Sequence, residues 1–163
     1  MSDALAGELA PTREEIIAAL DSAWTDLSGK IARLADPLST QTDDGGWTVR
    51  QLLSHLIGAW QRIPVHAGFF AALPTGEAVP VHPNDAYWIP EWETAPLVSF
   101  ALALEAAYRG ARAIIELFPD TALANVLTSP FGPVDGANFL LISAGGHVRE
   151  FHSAQFEAFI TRQ

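Results

Sequence analysis

Cysteine is missing from all 163 residues, which excludes disulfides and thiolate ligands and leaves any metal binding to histidine and carboxylate. Positive charge is scarce too. Nine Lys and Arg stand against 19 Asp and Glu, a formal charge of −10, so the clustered cations that nucleic-acid phosphates or an anionic membrane require are not there. Although 49% of residues are hydrophobic, no apolar run reaches the roughly 18–20 residues of a membrane span. The first nine residues hold Asp3 and Glu8 and no base, which does not match a secretory signal. Residues 1–10 are expected to be a flexible tail, and a cytoplasmic location is expected. No glycine-rich phosphate loop, nucleophile elbow or HExxH pattern occurs, so neither phosphate-loop nor serine acyl-transfer chemistry has local support.

The length predicts one domain over 1–163. Thr12 with Glu15 forms a capping-box signature, and Ile16, Leu20, Trp24, Leu27 and Ile31 then recur at helical spacing, which predicts a helix over about 12–35. Thr48 with Gln51 repeats the signature, Trp47 before it can act as a hydrophobic staple, and Leu52, Leu53, Leu56, Ile57 and Trp60 mark a second buried stripe. Pro64 predicts a kink or break in this helix before a continuation to Leu73. Residues 74–96 carry five prolines and the aromatics Tyr87, Trp88 and Trp92, an ordered loop able to roof a pocket. A third helix is expected over about 95–118 with Thr94 as N-cap. The stretch 125–132 is extended in character, and Asp135 then caps a fourth helix over about 136–162. The fold class is therefore all-α, a four-helix bundle with a long crossover between helices two and three, which permits an up-down-down-up path.

Histidine carries the chemistry. His55 lies beside the apolar stripe of helix two, where a lone imidazole is more often a hydrogen-bonded core residue than a ligand. His147 and His152 on helix four are five apart, about 140° around an ideal helix and poor geometry for one ion. The pair Gly145-Gly146 just before them offers a kink or a wide turn that could swing His147 inward. Gln155 is placed to orient His152 through a hydrogen bond. Glu150 could act as ligand or base, though such a glutamate is more often a solvated helix residue. His66 is near the His55 face but about three turns away and beyond Pro64; a surface or packing role is expected, with lining of the same cavity as the alternative. His82 lies in the proline-rich loop, where exposure is expected.

Gly46-Trp47-Thr48-Val49 leading to His55-Leu56, Pro130-Phe131-Gly132 before helix four, and His152-Ser153-Ala154-Gln155 together resemble the DinB-like (YfiT-like) superfamily of metal-dependent four-helix bundles. Pro11 to Trp60 also looks like the related colibactin self-protection branch, which lacks the full histidine set. The resemblance implies three histidines around zinc or nickel, one from helix two and an i, i+4 pair from helix four. His55 matches the first and His152 the last. The middle position falls on Val148, and His147 is the available substitute, so the metal ligands expected are His55, His147 and His152. The resemblance further implies a thiol-dependent transferase or a hydrolase acting on a small-molecule substrate, and a homodimer. The competing expectation is a metal-free binding or self-protection bundle with a degenerate site. No catalytic residue is assigned by either.

Overall fold

The computed structural model describes residues 10–34, 46–80 and 94–162. Residues 1–9 of the expected tail and the aromatics Tyr87, Trp88 and Trp92, together with His82, lie outside the described residues. Helix α1 spans Arg13–Ile31 and opens on the expected capping box, with the Thr12 side chain accepting from the Glu15 amide and the Glu15 carboxylate accepting from the Thr12 amide. Helix α2, Val49–Gln61, repeats this with Thr48 and Gln51. The chain breaks at Arg62 and resumes as α3, Ile63–Ala72, with Pro64 in its first turn. A first-turn proline has no amide to leave unpaired, so Pro64 costs nothing there.

Helix α4 spans Leu97–Leu117 and its N-cap is Pro96, not Thr94. The reason is steric: the residue before a proline is pushed out of helical geometry, so Ala95 cannot be the first helical residue. A short α5, Asp120–Leu123, leads into strands β1, Val126–Ser129, and β2, Gly132–Asp135, paired as an antiparallel hairpin with Leu127 opposite Val134. Gly132 turns the hairpin at a φ of 116°, open to glycine and strained for other residues. Asp135 caps α6, Gly136–Leu141, accepting from the Asn138 amide. The single regular helix expected over 136–162 is interrupted after α6. Ile142–His152 is wound as a π-helical segment, and regular geometry returns in α7, Ser153–Thr161.

Hydrogen bonds and ring contacts fix how the helices run. Arg13 bonds Asp120 and the Phe118 carbonyl, while Tyr108 donates to Asp21 at 2.8 Å, so α1 and α4 are antiparallel. Arg50 bonds the Ala95 carbonyl, and the Trp60 and Tyr108 rings lie 6.3 Å apart, so α2 and α4 run the same way. His66 and Phe70 meet Phe139 while His55 meets His147, so α2–α3 is antiparallel to the fourth bundle helix. The path is up-down-down-up, as the long crossover permits. Helices α1 and α2, consecutive in the chain, occupy opposite corners, since each packs mainly on α4 and on the fourth helix.

The core is aliphatic and aromatic: Ile16, Leu20, Leu56, Trp60, Phe100 and Phe156 are fully buried. Burying such a side chain stabilises by about 1.5–3 kcal/mol. Exposed pairs such as Arg109 with Glu105 add at most about 1 kcal/mol each, so the apolar stripes decide the fold. No helix among the described residues is long and apolar enough to cross a membrane.

Candidate metal centre

His55 is buried midway along α2, between core residues Leu52 and Leu56. His147 and His152 both come from the π-helical segment. In such a turn the backbone bonds i to i+5, which places residues five apart one above the other. A spacing that points two ways on a regular helix thus points one way here. The Nε2 atoms of His55 and His147 are 2.8 Å apart, and those of His147 and His152 are 3.2 Å apart. One ring nitrogen from each of the three lies within 4.8 Å of the other two.

The glycines have different duties. A Cβ on Gly145 would sit 2.7 Å from the Ala19 carbonyl oxygen and 2.8 Å from the Ala19 Cβ, so its lack of a side chain lets α1 approach. Gly146 has no such neighbour; its closest would be Glu150 Oε1 at 3.9 Å. The fully buried Trp60 indole donates to the Ala144 carbonyl at 3.1 Å, tying the start of the segment to α2. At its other end, Ser153 donates to Asp26 at 2.9 Å and receives the buried Lys30 ammonium.

Protonation at the cluster follows from its surroundings. Burial, and then the neighbouring His147 and His152, push the His55 imidazole down to about 3. Burial and His152 push His147 down to about 4. Both are therefore neutral near pH 7, the form that ligates metal. Gln155 Oε1 sits 2.6 Å from His152 Nδ1, so that nitrogen carries the proton and Nε2 offers its lone pair to the cluster. Trp47 covers the group, its ring 4.6 Å from that of His55 and 6.0 Å from that of His152. The donor set fits a divalent ion. Metal–nitrogen bonds of about 2.0–2.1 Å in tetrahedral array hold ligand nitrogens about 3.3 Å apart; the His147–His152 separation of 3.2 Å matches this, and the His55–His147 separation of 2.8 Å would have to widen by about half an ångström.

A cavity of about 400 Å³ opens beside the cluster, with His55 and His147 in its wall. The hairpin turn Ser129–Val134 forms a second side, and Phe139 and Ile142 a third. His66 also lines it, buried and edge-on to Phe139 with ring centroids 5.0 Å apart.

The model of the mycothiol maleylpyruvate isomerase N-terminal domain matches residues 19–145. The chain belongs to this family. Within the DinB-like superfamily, the fold is also similar to that of YfiT from Bacillus subtilis, with a TM-score of 0.70, 21% identity, and coverage of 96% of this chain and 92% of that one. That protein is described as a probable metal-dependent hydrolase with an unusual four-helix bundle topology. No curated protein matches the sequence. The family match ends at residue 145, so it does not include His147 and His152.

For this family member the structure brings together all three histidines singled out in the sequence and places Gln155 against His152. Val148, at the position a regular i, i+4 pair would use, is buried in the core instead. Arg149 and Glu150 are exposed and face each other at 3.7 Å, so neither enters the site. His66 is buried against Phe139 in the cavity wall, which matches the packing role and the shared-cavity alternative read from the sequence and not a surface position. The hairpin wall was legible in the sequence only as an extended stretch before helix four.

Proposed function

We propose that this chain is a divalent-metal-dependent enzyme acting on a small molecule, with His55, His147 and His152 as the ligands. The observation that carries this reading is the convergence of three imidazole nitrogens from two helices beside a half-open cavity. Three neutral nitrogen ligands leave coordination open for water or substrate, the arrangement of catalytic rather than structural zinc sites. A bound zinc or nickel ion would acidify a water or a thiol, lowering a water pKa toward about 7.

The chain's own residues supply the rest. Gln155 fixes the His152 tautomer, and Trp47 shields one side of the cluster from solvent. The cavity holds the substrate against the His55 and His147 side. Thiol transfer to an electrophile is the reading supported by the family, whose description names a mycothiol-dependent isomerase. Hydrolysis is the reading supported by the description of YfiT. The two differ in the nucleophile, not in the metal site.

Chelator-treated protein should take up about one equivalent of zinc or nickel at neutral pH, read by metal analysis and calorimetry, and His152→Ala should abolish that uptake. Gln155→Leu should weaken it by about 10- to 100-fold while leaving the fold intact. Wild-type protein that takes up no metal would reject the proposal and leave a metal-free binding bundle. Once loaded, turnover of an electrophile only when a low-molecular-weight thiol is present would separate transfer from hydrolysis.

A further inference from the structure

Ser153 closes the last wide turn of the fourth bundle helix. Its amide donates to the Val148 carbonyl, five residues back, and regular winding resumes from it at φ −58° and ψ −43°. The residue before it is His152, whose φ of −120° and ψ of −21° depart from the helical values that follow. In a helix a serine hydroxyl commonly turns back to the carbonyl four residues earlier. The Ser153 hydroxyl instead reaches across to α1. It donates to Asp26 Oδ2 at 2.9 Å and accepts from the Lys30 ammonium, which itself donates to Asp26 Oδ2 at 2.8 Å. Three polar groups from two helices thus meet one residue away from His152.

The Lys30 side chain is only 8% exposed, and that of Asp26 is 43% exposed. Taking an ammonium out of water is costly, and replacing such a pair by apolar side chains of similar size is often neutral or stabilising. Stability alone does not account for the pair. What an ion pair sharing a hydroxyl adds is direction, because hydrogen bonds fix angles as well as distances whereas apolar burial is non-directional. Direction is needed here. Between the contact of Gly145 with Ala19 and that of Ser153 with Asp26, a cavity of about 270 Å³ lies between α1 and the widened segment, with Ala23, Val148 and Arg149 among its walls. The turn that carries His147 and His152 is therefore fastened to α1 at its two ends. Arg33 and Glu157, one turn further on, also join α1 to α7 at 3.3 Å, but both are about half exposed and such pairs contribute little.

We propose that Asp26 and Lys30, acting through Ser153, are positioning residues for the metal ligand His152. They hold the last wide turn closed and keep the His152 ring where its Nε2 faces that of His147, 3.2 Å away. In this way they set the affinity and the coordination geometry of the site without touching the ion. Gln155 fixes which nitrogen of His152 carries the proton, and the α1 group fixes where the ring stands. The inference rests on the reading of the three histidines as metal ligands, and the test separates the failure of one from the failure of the other.

The test is zinc binding by the chelator-treated full chain, measured in competition with a chromophoric chelator. Beside it stand the visible spectrum of the cobalt(II)-loaded protein and urea unfolding of the metal-free protein. Ser153→Ala should weaken zinc binding about tenfold, and Ser153→Thr, which keeps the hydroxyl, should restore it. The double variant Asp26→Leu/Lys30→Met exchanges the pair for apolar side chains, so its urea midpoint should stay at or above that of the wild type. Its zinc affinity should nevertheless fall at least about tenfold, and its cobalt bands should shift and lose intensity as the ligand field is distorted. Arg33→Ala should change none of the three measurements. Wild-type zinc affinity in Ser153→Ala or in the double variant would overturn the proposal. So would a loss of zinc affinity no larger than the accompanying loss of stability, which would leave the group a structural prop. A wild-type chain that takes up no zinc rejects the metal reading and this inference with it, whereas normal wild-type uptake with unaltered variants rejects this inference alone.

Discussion

On α2, His55 sits within a regular helix whose apolar stripe, Leu52 and Leu53 to Leu56 and Ile57, is buried on all sides. On the fourth bundle helix, eleven residues from Ile142 to His152 leave regular geometry, and it is this departure that lets His147 and His152 reach the same point. The first histidine is positioned by packing that would exist without it. The other two are positioned by a backbone arrangement that regular helical hydrogen bonding does not favour, and which needs outside support. Its supports are visible: Trp60 on the Ala144 carbonyl, the Gly145 contact with Ala19, and the Asp26–Lys30–Ser153 group at the far end. A site made from one ordinary and one distorted helix should therefore be fragile on one side only.

The contrast can be broken at Gly145. Its missing Cβ admits α1, and the atoms that a new methyl would meet are the Ala19 carbonyl group and the Ala19 Cβ, none of which can rotate away. Gly145→Ala should destabilise the protein by about 1–3 kcal/mol and misplace His147, seen as a lower melting temperature together with weaker zinc uptake. Next in size is Trp60→Phe, which leaves the Ala144 carbonyl buried without its indole donor. A loss of about 1–2 kcal/mol in denaturant unfolding is expected. If the variant instead keeps full stability, the tie between α2 and the widened segment is not what holds the latter.

Acid should probe both sides of the cluster together. His55 and His147 have folded-state values of about 3 and about 4, below the 6.5 of an unperturbed imidazole. Between those limits the unfolded chain binds more protons than the folded one, so stability falls as pH drops below about 6.5 and the loss levels off below about 3. Above about 6.5 both states are neutral at these positions and no contribution remains. Urea unfolding of metal-free protein over this range should show the slope, and His55→Gln should make it shallower. The smallest effect is expected at Gly146, where a methyl meets nothing closer than 3.9 Å. Gly146→Ala should stabilise by up to about 1 kcal/mol through reduced chain entropy, in contrast with its neighbour.

Much of the fold was written in local chemistry. The capping pairs at Thr12 and Thr48, the Asp135 cap and the break near Pro64 are short-range signals, and each element starts or stops where they indicate. Thr94 misled because Pro96 lies two residues on and bars Ala95 from the helix. The widened segment was legible only as an odd spacing of two histidines beside paired glycines. Hydrophobic periodicity does not reveal it, since Ala144 and Val148, four apart, are both buried and read as an ordinary stripe. The cavity was less legible still, because its wall combines a hairpin turn, α3 and α6, which meet only in three dimensions.

The diagonal placement of α1 and α2 has a consequence for how the molecule comes to be. Neighbouring segments in a simple meander can zip into hairpins as soon as they emerge, but here the first two long helices have little surface to offer each other. Condensation must wait for α4 and the C-terminal helix, and the closest imidazole contact joins positions 92 apart. Closing so long a loop is entropically slow, so the site is completed late, only after the segment that carries His147 and His152 has been made.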